Sequence, residues 1–247
     1  MSLQTYSSFS IGVETNDKGF IGFINELPGA FVRGLTEEEA LEKVALEVRR
    51  YYRWLDNDPP ETVSIDVTQR IFSLAVVEDG DTQILLNADK GECDRGEFDF
   101  WLSLLMQSAE TFEHLIEKVK HPGWVDPSRA GSCFYGLRPA SIRDINNHVR
   151  RTQYYYLSRL GLYPEQSLSS FSGQRREFVD LLRGFYIENN NRPMFNHERE
   201  YWTLKKVLRR FLWHDRIHGK SITKILSKQK RLGLIDVFND PLYYYAD

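Results

Sequence analysis

At 247 residues the chain can hold one large domain or two modest ones, and its 41% apolar and 27% charged side chains place it among globular proteins, not disordered ones. No apolar run approaches the roughly 18 to 20 residues needed to span a bilayer, and the N-terminus lacks the basic and hydrophobic regions of a secretory signal, so a cytoplasmic location without a membrane partner is expected. The net charge of −3 hides a split: residues 1–99 carry 20 acidic and 9 basic side chains, a balance of −11, and residues 100–247 carry 15 and 23, a balance of +8. The split suggests two units with different surfaces, 1–92 and 93–247, which dock on each other, leave the basic one for an anionic partner, or simply carry ordinary solvated faces that differ.

The first unit opens with two strand-like runs, "FSIGVETN" and "KGFIGFINE", joined by an Asn-Asp-Lys-Gly turn. Thr36 followed by Glu39 forms a capping box, and Leu41, Val44, Val48, Tyr51 or Tyr52 and Leu55 recur behind it at helical spacing. "DNDPP" stops that helix, and "TVSIDVTQRIFSLAVV" reads as a further strand. The order is β-β-(β)-α-β, a small α+β domain. Glu26-Leu27-Pro28-Gly29, Gly34-Leu35-Thr36 and Glu38-Glu39-Ala40 give this stretch, roughly residues 5–70, a resemblance to the HicB-like antitoxin family. The resemblance implies a partial ribonuclease-H-like layer of strands with a helix. No helix-turn-helix follows, so the antitoxin role is not carried over. The unit reads as an interaction or scaffolding module.

The second unit is helical. "EFDFWLSLLMQSAETFEHLIEKV" (97–119) presents Phe98, Trp101, Leu105, Phe112, Leu115 and Val119 on one face. Ser141 and Asp144 offer a second capping box before "IRDINNHVRRTQYYYLSRLGL". A third helix falls in "SGQRREFVDLLRGFYIENN", and a fourth begins near Trp202-Thr203 and runs about 25 residues. Four amphipathic helices read as a four-helix bundle. The whole is therefore a multidomain α+β chain, with the bundle second. The tail "GLIDVFNDPLYYYAD" is expected to pack on one of the units, because its aromatics are costly to expose. Two cysteines, Cys93 and Cys133, without a CxxC spacing, argue against a disulfide scaffold or a cysteine-based zinc site.

In the fourth helix the apolar stripe Leu204, Val207, Leu208, Phe211 resumes at Ile222 and Ile225, and His214 and His218 fill the positions between. Side chains at i and i+4 lie about 5–6 Å apart, near enough to share one metal ion. His148 follows Ile145 by three and turns toward the bundle as well. Three inward histidines on two helices form a constellation that bundles use to hold a metal, the alternative being three core imidazoles that each need a separate hydrogen-bond partner. The pair also has the spacing of H-E-x-x-H. Asp215 stands in place of the glutamate and no third-ligand motif follows, which argues against a metalloprotease.

"RPASIRDINNHVRRTQYYYLSRLG" and "YWTLKKVLRRFLWHDRIHGKSI" resemble the second and last helices of the DinB-like family, over approximately residues 97–230. That family's fold is a four-helix bundle with a divalent metal on three histidines, and they fall here on His148, His214 and His218. The resemblance implies zinc or nickel, and a thiol-dependent transferase or isomerase that uses a low-molecular-weight thiol and a small-molecule substrate. Asp144 is either an acceptor behind His148 or, the preferred reading, part of the helix cap. Asp215 is expected to pair with Arg216 or with a neighbouring helix. Of Tyr154, Tyr155 and Tyr156 not all can face a cavity, and His114, His121 and His197 read as surface or loop residues.

Two alternatives stand beside the enzyme. One is a regulatory or interaction protein stapled by its metal. The less favoured one is nucleic-acid binding through the ten basic residues between Lys205 and Arg231, although helix-dipole complementation and contact with the acidic unit also explain that run. The sequence leaves a homodimer open. It also leads to the expectation that the N-terminal unit shapes or covers the mouth of the metal cavity.

Overall fold

The computed structural model describes residues 6–129, 131–133, 136–195 and 200–245. Strands β1 (Ser8–Thr15) and β2 (Phe20–Ile24) form an antiparallel hairpin. Asn16 turns the chain between them, its Oδ1 accepting from the backbone N–H groups of Lys18 and Gly19. Strand β3 (Phe31–Gly34) adds antiparallel to β2. Two helices follow, α1 (Glu37–Leu41) and α2 (Val44–Trp54), before β4 (Ser64–Phe72) returns parallel to β1, giving the sheet order β3-β2-β1-β4.

The Thr36 hydroxyl caps α1 by accepting from Glu39 N–H, while the Glu39 carboxylate reaches Leu35 N–H at 2.7 Å, one residue earlier than a reciprocal box requires. The periodicity predicts one helix from Thr36 onward, but the structure has two. Lys43 N–H bonds to Ala40 at 3.2 Å, an i→i−3 contact that tightens the last turn of α1 and makes α2 start afresh.

Helix α3 (Arg95–Glu117) begins the helical half, capped by Asp94. A short hairpin, β5 (Ser132–Cys133) and β6 (Gly136–Leu137), leads to α4 (Ile142–Ser158). Helix α5 (Phe171–Asn189), a second small hairpin of β7 (Met194–Phe195) and β8 (Tyr201–Trp202), and α6 (Leu204–Arg231) complete the elements. Helix α3 packs on α5 and α6, and α4 packs on α6. No helix among the described residues is long and apolar enough to cross a membrane.

The core does not stop at the boundary between the halves. Phe9, Ile11 and Val13 from β1 and Val48 and Tyr51 from α2 join Leu105, Phe178 and Phe211 in one buried cluster. On the other sheet face Ile21, Phe23 and Phe31 gather with Val77, Ile84 and Leu86 around Trp213 of α6. The Leu27-Pro28-Gly29 turn sits directly on α6. Gly29 has φ +83°, and a Cβ there would lie 2.8 Å from the Leu212 carbonyl carbon and the Trp213 nitrogen. Only glycine combines that backbone conformation with so close an approach.

Charge reinforces the docking. Arg209 pairs with Asp89 at 2.6 Å, Arg216 pairs with Glu47 at 2.6 Å, and Lys206 donates to Gln83 O at 3.0 Å and Glu200 at 2.7 Å. These basic side chains of α6 are buried. Much of the basic run is thus spent inside the molecule against the acidic half. The tail packs as expected, on both halves: Leu242 and Tyr244 are buried, and Arg50 of α2 donates to the carbonyls of Tyr243 and Tyr244 at 2.9 and 3.1 Å.

Candidate metal centre

Ser141 and Asp144 start α4 with a complete capping box. The Ser141 hydroxyl accepts from Asp144 N–H at 3.1 Å, and the Asp144 carboxylate accepts from Ser141 N–H at 3.2 Å and from its hydroxyl at 2.7 Å. Asp144 is therefore committed to the cap. Ile145 and Val149, both fully buried, fix the phase of α4, and that phase turns His148 toward α6. On α6 the stripe continues as predicted through His214, 5% exposed, and His218, 9% exposed, to Ile222 and Ile225.

The three imidazoles meet. Ring centroids lie 5.0 Å apart for His148 and His214, 4.7 Å for His148 and His218, and 4.3 Å for His214 and His218. One nitrogen of each lies within 4.8 Å of the others, and His148 Nε2 is 3.1 Å from His214 Nε2. The Nδ1 of His218 is buried and has no hydrogen-bond partner among the described residues.

Burial pushes all three imidazoles toward the neutral form. It lowers His148 to about 4, helped by the charge of Arg151. It takes His214 well below the usual histidine range, with further contributions from His218, His148, Arg210 and Arg175. His218 moves the same way, through burial and then His148 and Arg129. Each neutral imidazole keeps one nitrogen with a lone pair, and a cation is the partner that three such crowded nitrogens can share. The 3.1 Å His148–His214 pair lies within the span that two zinc–nitrogen bonds of about 2.0–2.1 Å allow, and three imidazole nitrogens are a donor set suited to a divalent ion.

Asp215 does not join them. Its two oxygens each lie 3.0 Å from Arg175 Nη2 on α5, and Ser108 of α3 donates to it at 2.7 Å. Of the two pairings expected for Asp215, the neighbouring helix wins, since Arg216 is taken by Glu47. A carboxylate held this way is not free to act as a base on the metal side. Arg175 also donates to Gln153 of α4 and to Leu105 O of α3, so one buried network ties all four helices beneath the histidines.

The triad opens into a cavity of about 590 Å³. Tyr155, Tyr156, Trp213 and Arg210 line it from the bundle, and Cys133 lines it from the β5–β6 hairpin. Arg33 and residues 78–81 of the N-terminal half also line it, as the sequence led us to expect of that unit. Arg138 and Asp79 close the rim with an ion pair at 2.9 Å. Tyr154 faces elsewhere, packing on Phe178 and accepting from Ser167 N–H at 2.7 Å. His114 and His121 are exposed, and His197 lies outside the described residues. Arg210 was not singled out from the sequence, although its place one turn before His214 was a readable signal.

No protein-family model matches the chain, and no curated protein matches it. A solved structure described as "YfiT from Bacillus subtilis is a probable metal-dependent hydrolase with an unusual four-helix bundle topology" is similar over 58% of this chain and 92% of that one, at 15% identity and a TM-score of 0.38. A likeness that slight carries no argument about fold or chemistry.

Proposed function

We propose that the chain is a divalent-metal protein that holds its ion on His148, His214 and His218 and acts on a small molecule bound in the adjoining cavity. The observation that carries this reading is the convergence of three neutral imidazoles, two buried and His148 half-buried, from two helices at the wall of a cavity of about 590 Å³. A zinc or nickel ion there supplies a Lewis acid with a coordination position left for a substrate atom, water or thiol. The chain's own residues do the rest. Trp213 and Tyr155 give apolar walls that displace water, and the Tyr156 hydroxyl, which burial raises to about 12, stays protonated beside Arg210.

Within that reading the DinB-like resemblance favours transfer of a low-molecular-weight thiol to an electrophilic substrate. The HicB-like N-terminal layer is then a scaffold whose residues 78–81 form one wall of the reaction chamber.

Elemental mass spectrometry on tag-free protein, beside the variant His214→Ala/His218→Ala, tests the centre. Near-stoichiometric metal in the parent and none in a variant with an unchanged circular dichroism spectrum is the expected result. No uptake of zinc, nickel or manganese by the parent would reduce the histidines to core residues. Metal without turnover across a panel of thiols and electrophiles would favour a structural staple.

A further inference from the structure

Arg210, His214 and His218 form one stripe on α6, at i, i+4 and i+8, and all three line the cavity. Arg210 is only 7% exposed and makes no direct ion pair among the described residues, the carboxylates of Asp81, Glu14 and Glu200 acting on its charge from farther off. The carboxylates that neutralise its neighbours are taken: Asp89 by Arg209, Glu47 by Arg216 and Asp215 by Arg175. Its Nη1 donates to Thr82 O at 2.6 Å, and its Nε has no partner. The guanidinium lies 4.6 Å from the Trp213 ring, 5.4 Å from Tyr156 and 5.9 Å from Trp202, an aromatic surround that holds the side chain in place.

The cavity lining as a whole leans positive. Arg33, Arg129, Arg138, Arg151 and Arg210 face it against Glu78, Asp79 and Asp81, and one of those carboxylates, Asp79, is already bound to Arg138. The carboxylates of Asp81, Glu14 and Glu200 favour the charge of Arg210 without bonding to it directly, so its guanidinium keeps donor capacity at the cavity wall, and a guanidinium there is suited to binding an oxyanion.

We propose that the cavity takes a small molecule bearing a carboxylate or phosphate group, and that Arg210 binds this group one helical turn from the histidines. A substrate so anchored presents its remaining end to the triad. The assignment rests on the reading of the cavity as a small-molecule site but not on the identity of the metal.

The test is a titration of tag-free protein, metal-loaded and metal-free, with malonate, inorganic phosphate and the neutral isostere malonamide. Tryptophan fluorescence is the readout, since Trp213 adjoins Arg210. Saturable change with an anion and none with malonamide is expected, the better anion identifying the group. Arg210→Gln should weaken binding roughly tenfold or more, with Arg210→Lys in between. Circular dichroism and metal content should match the parent in at least the lysine variant, which guards against misfolding.

Binding of malonamide as tight as that of malonate, no saturable binding at all, or unchanged affinity in Arg210→Gln would overturn the proposal. So would anion binding lost in His214→Ala/His218→Ala but kept in Arg210→Gln, because that places the anion on the metal. Arg210-dependent binding in a protein that takes up no metal would sink the metal reading and leave this one standing.

Discussion

Two residues in the "HDRIH" stretch carry opposite charges and sit side by side in sequence, yet each is neutralised from a different direction. Asp215 faces Arg175 and Ser108 inside the bundle, whereas Arg216 faces Glu47 across the interface with the N-terminal half. Consecutive residues on a helix point about 100° apart, so neighbours rarely share a partner. Asp215 and Arg175 are both buried, and removing one member leaves the other as an uncompensated charge. Asp215→Ala should therefore cost about 3–5 kcal/mol of stability in urea denaturation. Metal content should not change in the fraction that folds. A variant with parental stability and no metal would instead mean that Asp215 serves the site directly.

At the scale of elements, the Leu-Pro-Gly turn between β2 and β3 acts as a docking foot for α6. Gly29 and Gly91 have similar positive φ, +83° and +77°, but a Cβ on Gly91 meets nothing within 4 Å. Backbone strain alone, about 1–2 kcal/mol, is expected for Gly91→Ala. Gly29→Ala adds a collision with the α6 backbone and should lose clearly more in thermal or urea unfolding. Equal losses would show that the turn can lift from the helix without penalty. The same contact explains why one helix, α6, organises most of the molecule. Its inward stripe holds the histidines, Trp213 sits among the sheet residues, and its basic side chains meet the acidic strand half.

For the whole molecule, the two halves are bound by a shared core and by buried ion pairs, so deleting residues 1–90 would strip apolar cover from α6 and leave Arg216 without Glu47. A point change at the rim is the cleaner probe of access. Asp79→Asn breaks the pair with Arg138 that joins the N-terminal half to the β5–β6 hairpin over the cavity. The pair is partly exposed and worth at most about 1 kcal/mol, so zinc release to a chelator should quicken by no more than about fivefold. The difference should shrink at high salt, where surface charges are screened. Identical release rates at low salt would separate the ion pair from control of the cavity.

What the sequence determined by itself was local and periodic. Thr36, Ser141 and Thr203 mark helix starts because a hydroxyl before an apolar-periodic run can accept from a free N–H. The stripe of α6 aimed His214 and His218 inward because helical spacing fixes which residues share a face. The phase of α4 did the same for His148. The charge split between the halves was legible too, but docking was one of three readings that it allowed.

Only the tertiary structure decided which partners met. The spacing of charges along one chain does not say that Glu47, Asp89 and Thr82 lie against α6, since those contacts cross more than a hundred residues of sequence. It does not say that Arg210 lacks a direct ion pair while its neighbours have one, or that residues 78–81 wall the histidine cavity. The division at residue 42 between α1 and α2 also escaped periodicity, because one i→i−3 hydrogen bond interrupts a helix without disturbing its apolar pattern. Caps and faces are set by neighbours a few residues away. The cavity and its charge are set by the packing of two halves on one helix.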